Sequence, residues 1–270
     1  MLMPAKFRYD TLRITDVKDR FLWISQGLVT IHSVRCAGRR DGVNMKRNEK
    51  MHLWAGIGFL IAFLLWTVLI RCVDVQVSGP NETKVGFAGF NLWFHNLTGV
   101  HMTVYTITDW LGLVPIGICL CFGVIGVIQT VKLRSLLRVD PDIIFLGLYY
   151  ILVILAYLAF EMIPINYRPI LINGVLEASY PSSTTLLVLS VMPTLKFQLD
   201  RRTEKPLIRK MTNIFTIMFS SFMVIGRLIA GVHWATDIIG AVFLSMGLFL
   251  LYRYAVDEAD RRREDRNGIQ

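Results

Sequence analysis

Six apolar segments, each near the ~20 residues needed to cross the hydrocarbon of a bilayer, limit this chain more than any other feature. They fall at about 53–73, 112–131, 142–163, 182–198, 211–230 and 235–254. With 54% hydrophobic and only 18% charged residues in 270, there is too much apolar sequence for one soluble core. The expected fold class is all-α: a polytopic membrane protein of six transmembrane helices. The fourth segment is the weakest, being short and carrying Pro193, which should kink it.

A net charge of +9 raises the question of nucleic acid. The basic residues lie between apolar segments rather than along one face with aromatic partners, so topology explains them and no nucleic-acid partner is expected. One set of connections holds Lys46, Arg47 and Lys50, then Lys132, Arg134 and Arg138, then six residues from Lys196 to Lys210, then Arg253 and the Arg261–Arg266 tail. The opposite set holds only Arg71, Lys84, Arg168 and Arg227. The bias places both termini in the cytoplasm and the Arg168 and Arg227 loops outside.

This organisation suggests three regions: an N-terminal extension 1–44, a six-span membrane domain 45–254 and a charged cytoplasmic tail 255–270. Within 1–44, the apolar patch from Phe21 to Val34 is too short to span and lacks a small-residue cleavage site. The extension is therefore expected to be dispensable or a start-site extension, with an interfacial amphipathic helix as the alternative. The outer segment 74–111, with Trp93, Phe94, Tyr105 and Trp110, suits a helix lying in the interface. Cys36, Cys72, Cys119 and Cys121 show no metal-ligand spacing. Neither metal nor cofactor is expected, and no pattern specifies an oligomeric state.

Three outer stretches carry the chemistry. The first is Tyr167-Arg168-Pro169; the second runs from Ala178 to Thr185; the third runs from Gly226 to Asp237 and puts Arg227, His233 and Asp237 between two apolar segments. Ionisable residues in such places are rare and usually functional, although three interfacial polar side chains with a snorkelling arginine is the plainer reading. His233 and Asp237 are four apart, so on a helix they would share a face and the carboxylate could orient the ring. Pro181 followed by Ser182, Ser183 and Thr184 marks a helix start. Alone it reads as capping. With two arginines on the same face it reads as an anion site, because helix N-termini attract phosphate and arginine matches it bidentately.

Arg168-Pro169, Pro181-Ser182-Ser183, and Arg227 with the spaced His233 and Asp237 together resemble the three-part signature of the type 2 phosphatidic acid phosphatase family, whose fold is shared with vanadium haloperoxidases. The resemblance implies a metal-independent membrane phosphatase acting on a lipid phosphate or diphosphate at the outer interface of the bilayer. It implies that His233 forms a phosphohistidine, Asp237 orients it, and Arg168, Arg227, Ser182, Ser183 and Thr184 hold the phosphoryl oxygens. Three positions depart from the family pattern: Glu161 stands for a lysine, Thr184 for a histidine and Gly226 for a serine. Thr184 cannot act as the general acid, a role worth ~10²–10⁴-fold. A lipid diphosphate, whose leaving phosphate needs little protonation, is therefore the favoured substrate. Alternatively Glu161, Glu177, His95 or His101 donates the proton. A silent lipid-phosphate-binding protein and a lipid phosphotransferase are the rival readings. Glu161 is also a candidate salt-bridge partner for Arg168.

Because all six segments and their flanking charges follow Met45, deleting residues 1–44 should leave membrane insertion intact. A truncated chain absent from the membrane fraction would show instead that the extension is structural.

Overall fold

Each expected apolar segment is part of a long helix. The structure is a computed structural model that describes residues 42–135 and 139–268. The expected extension 1–44 thus lies, but for its last three residues, outside the described residues. The elements in order are α1 (Gly42–Cys72), a two-stranded antiparallel hairpin of β1 (Gln76–Val77) and β2 (Lys84–Val85), α2 (Ala88–Thr98), α3 (Met102–Leu111), α4 (Leu113–Leu133), α5 (Pro141–Met162), α6 (Ser183–Arg202), α7 (Pro206–Ile229) and α8 (Ala235–Gly268). Helices α5 and α7 open on proline at their first turn, after Asp140 and Lys205. There the fixed φ of proline suits the helix and its missing N–H is not needed.

Five helical stretches are long and apolar enough to cross a membrane: Lys50–Cys72, Met102–Leu133, Pro141–Met162, Pro206–Ile229 and Ala235–Arg266. The remaining long helix is α6, in place of the expected fourth span. It packs against α4, α5, α7 and α8 and buries the polar residues Thr185, Ser190, Thr194 and Gln198 completely. A helix enclosed by other helices can carry polar side chains because the protein, not lipid, satisfies them. Next to Pro193, the Tyr149 hydroxyl donates to the Ser190 carbonyl at 3.0 Å, and the Tyr150 and Thr194 hydroxyls are bonded at 2.7 Å.

One expectation needs correction. The segment 74–111 is not one interfacial helix. It is the hairpin followed by α2 and α3, and α3 continues almost directly into α4, because Gly112 adopts right-handed helical angles (φ −58°, ψ −19°). Tyr105 and Trp110 therefore stand on the start of a membrane-length helix. Helix α8 runs past the expected end of the sixth span at residue 254 and on to Gly268, with residues 262–266 of the charged tail exposed. Glu258 pairs with Arg261 and Arg262, three and four residues on, a spacing that stabilises a helix, and Arg201 of α6 reaches Asp260 at 2.7 Å.

The topology places the C-terminal ends of α5 and α7 beside the N-terminal ends of α6 and α8. The α5–α6 connection folds back as a strap, bridged at Tyr167 and Ala178 and again at Ile172 and Val175. Tyr180 anchors its far end. The ring is 1% exposed, stacks on Phe63 at 5.9 Å and meets Phe160 edge-on at 5.8 Å. Its hydroxyl is bonded to Thr67 at 2.7 Å.

The α7–α8 loop turns at Gly231, whose φ is +69° and whose missing Cβ would lie 2.1 Å from the Gly99 carbonyl oxygen. Gly231→Ala combines a left-handed backbone, which costs an L-residue about 1–2 kcal/mol, with a clash against main chain. It should lower the melting temperature in detergent by several degrees. An unchanged midpoint would mean that the loop is free to move away from Gly99.

Candidate active site

The strap sets the first arginine. Arg168 N–H donates to the Glu177 carbonyl at 3.1 Å, and the Ser179 N–H donates to the Asn166 carbonyl at 2.9 Å. These bonds hold Arg168 and Ser179 on the two facing limbs of the strap. The Arg168 guanidinium, 8% exposed, forms an ion pair with Glu177, with Nε 3.0 Å from Oε2. The pair is not aligned as a hydrogen bond, and Nη1 has no partner. The anticipated partner Glu161 is thus replaced by Glu177, because the folded-back strap brings residue 177 beside 168 while Glu161 stays at the end of α5.

The second arginine comes from the last turn of α7. Arg227, 2% exposed, donates from Nη2 to Asp109 at 2.9 Å and to the Thr184 hydroxyl. Its guanidinium lies over the Tyr105 ring at 4.9 Å, and that of Arg168 lies 6.0 Å from the same ring. Arg227 Nε and Nη1 are buried without partners. Two buried cations flank one aromatic face, with donors unspent. Such donors suit an anion, since an unpaired buried charge is costly.

The hydroxyls at the start of α6 divide. Ser183 lines the cavity described below. Ser182 is fully buried and turns its hydroxyl to Thr185 at 3.1 Å, while its N–H donates to the Asp237 carbonyl at 3.3 Å. Thr184 is occupied with Arg227. The first N–H groups of α6 still lack partners within the helix, as at any helix start.

His233 and Asp237 do not share a helical face as expected. Helix α8 begins only at Ala235, so His233 lies in the loop. The Asp237 carboxylate folds back to accept the Trp234 N–H at 3.0 Å, the bond that starts the helix. Between the two stands Ser179. Its hydroxyl donates to Asp237 Oδ2 at 2.5 Å, and His233 Nδ1 lies 3.0 Å from that hydroxyl and 3.1 Å from the Ser179 carbonyl oxygen. Asn166 donates to the other carboxylate oxygen at 3.4 Å. Neither Ser179 nor Asn166 stood out in the sequence, although Ser179 sits in the outer stretch two residues before Pro181.

His233 Nε2 has no partner. Burial above all, and then the charges of Arg168 and Arg227, push the imidazole well below the usual histidine range, against a weaker opposing effect of the Ser179 backbone bond. The ring is therefore neutral, and a neutral imidazole is the nucleophilic form.

A cavity of about 220 Å³ opens at this point, with Tyr157, Phe160, Glu161, Arg168, Ser183 and His233 in its wall. Of the four candidate proton donors, Glu161 and Glu177 line it, and Glu177 is paired with Arg168. His95 packs on the Trp234 ring at 5.6 Å, with burial lowering its basicity, and His101 contacts the Thr98 carbonyl at 2.8 Å. Helix α2 braces the site from behind: Asn91 donates to Thr236 at 2.9 Å and to the Gly86 carbonyl at 2.8 Å. Among the described residues no group of three or more His, Cys, Asp or Glu could hold a metal ion.

Residues 143–261 match the family model of the PAP2 superfamily. Among solved structures, the chain is similar to the first transmembrane PAP2 type phosphatidylglycerolphosphate phosphatase from Bacillus subtilis. The TM-score is 0.50 at 18% sequence identity, over 74% of this chain and 94% of that one. At that identity the likeness speaks to the fold. No curated protein matches the chain.

An unfolded chain protonates a histidine near pH 6.5, about 1.4 kcal/mol per pH unit below it. The native state refuses that proton at His233, so the stability tied to this group is full above about pH 6.5 and is lost as pH falls from there. The melting temperature of the wild type should therefore drop more between pH 7 and pH 5 than that of His233→Gln. Parallel curves would place an ordinary, protonatable histidine at 233.

Proposed function

Because residues 143–261 match the family model of the PAP2 superfamily, we propose that the chain is an integral membrane phosphatase of lipid phosphates that works through a phosphohistidine at His233. The observation that carries this reading is a neutral, buried imidazole with a free Nε2, in a cavity wall beside two arginines that keep unspent N–H donors. Nε2 attacks phosphorus, the bond to the leaving oxygen breaks, and water then releases phosphate from the histidine. Arg168, Arg227 and the start of α6 stabilise the charge on the transferred group. Phosphoryl transfer relies chiefly on such positioning and electrostatics.

The leaving group's proton is the weak point. Thr184 cannot donate it and is engaged with Arg227; Glu161 in the cavity wall is the proposed donor. A lipid diphosphate relaxes the need, since the expelled phosphate monoester has a pKa of roughly 6. We therefore take a polyprenyl or other lipid diphosphate as the favoured substrate. The distribution of lysine and arginine supports a site on the extracytoplasmic side.

Purified protein in detergent should release phosphate from matched lipid mono- and diphosphates, with the higher kcat/KM for the diphosphate. His233→Ala should abolish turnover, and Thr184→His should raise the monophosphate rate more than the diphosphate rate. Turnover that survives His233→Ala ends the covalent mechanism. Equal rates on both lipids would mean that another group already donates the proton efficiently.

A further inference from the structure

We propose that Ser179 is the residue that aims His233, and that Asp237 acts on the ring only through the Ser179 hydroxyl. The inference rests on the phosphatase reading and adds a positioning residue to it. The argument is one of donors and acceptors. A serine hydroxyl has a single proton, and the 2.5 Å contact to Asp237 Oδ2 takes it. Toward His233 the same oxygen can then only accept. The second neighbour of Nδ1, the Ser179 carbonyl oxygen at 3.1 Å, is an acceptor by nature. With two acceptors facing it, Nδ1 must carry the ring proton, and the lone pair is left on Nε2, the nitrogen without a partner. One residue, through its side chain and its main chain, thus selects the tautomer in which the free nitrogen is the nucleophile.

The hydroxyl cannot easily turn away. Ser179 is 2% exposed, between His233 at 4% and Asp237 at 0%. Its N–H is tied to the Asn166 carbonyl, and Asn166 in turn donates to Asp237. The neighbouring Tyr180 is wedged between Phe63 and Phe160. The same strap carries Arg168, so the group that holds phosphate and the group that aims the nucleophile are braced as one unit.

In the reaction Nε2 bonds to phosphorus as the leaving oxygen departs with the electron pair of its bond. The ring becomes cationic and keeps its Nδ1 proton. The Ser179 oxygen, polarised by the aspartate, stabilises that charge. When water attacks phosphorus, the N–P electron pair returns to Nε2 and the water proton passes to solvent. The Nδ1 proton never leaves, so Ser179 is required for orientation and not for proton transfer.

The test uses the purified full chain in detergent, with kcat and KM for phosphate release from a lipid diphosphate. Ser179→Ala should lower kcat about 100-fold, as expected when a reacting group is misplaced. KM should move by less than about 3-fold, because the arginines that bind phosphate are untouched. Ser179→Thr should recover at least about tenfold of the loss by restoring the hydroxyl. In an Asp237→Asn background Ser179→Ala should cost less than about 3-fold more, since the two act in series. If Ser179→Ala does not fold, Ser179→Cys, close in volume but a weak donor, should show the same fall in kcat. A folded Ala or Cys variant with near wild-type kcat, a change confined to KM, or full multiplication of the Ser179 and Asp237 effects would overturn the proposal. Those outcomes, with an active wild type, sink Ser179 alone. A wild type that releases no phosphate from any lipid phosphate sinks the phosphatase reading and this role with it.

Discussion

Two guanidinium groups are buried beside one imidazole, and the site follows from how that charge is tolerated. A buried cation must find a partner or cost several kcal/mol. Each arginine has one carboxylate near it, Asp109 for Arg227 and Glu177 for Arg168, and both lie near the face of Tyr105. Neither carboxylate uses all the N–H donors on its arginine. Arg168 stands in the cavity wall, and burial above all, then the charges of the two arginines, holds the adjacent histidine neutral. One electrostatic arrangement therefore creates both an attraction for an anion and a nucleophile able to meet it.

Holding such an arrangement requires rigid support, and most of it comes from outside the three polar stretches. Tyr180 is packed between α1 and α5 and bonded to Thr67. Trp66 of α1 donates to the Thr236 carbonyl at 3.0 Å, and Trp234 donates to the Tyr167 carbonyl at 2.8 Å. Asn91 ties α2 to the first turn of α8. The segment before the second long helix, which has the composition of an interfacial element, thus acts as a brace for the loop that bears His233. The Gly231 turn seats that loop directly against Gly99.

At the other end of α6, about 30 Å away at 1.5 Å per residue, a second set of charges closes the bundle. Asp142 at the start of α5 pairs with Arg202 at 2.9 Å and with Arg201 at 3.5 Å, and Arg201 also reaches Asp260 of α8. His52 of α1 meets Asp257 at 3.3 Å. These pairs link α1, α5, α6 and α8 at the end remote from the cavity.

The sequence by itself determined the helices and the residue types of the site. Apolar runs of membrane length require helices, because in lipid the backbone must satisfy its own hydrogen bonds, and each of the six segments is a helix. Arg168, Ser183 and His233 were legible because ionisable and hydroxyl groups beside such runs are too costly to be incidental. Tertiary structure alone decided how these groups are wired. A spacing of four residues suggested a direct contact between His233 and Asp237, but where a helix begins depends on its caps, and Asp237 spends one oxygen on capping. Ser179, 58 residues away from Asp237, fills the gap. Glu177 rather than Glu161 pairs with Arg168 because the strap reverses direction, and α6 tolerates its polar residues because other helices enclose it. Contacts between residues distant in the chain leave no periodic trace in the sequence, since they depend on which surfaces fold together rather than on local propensity.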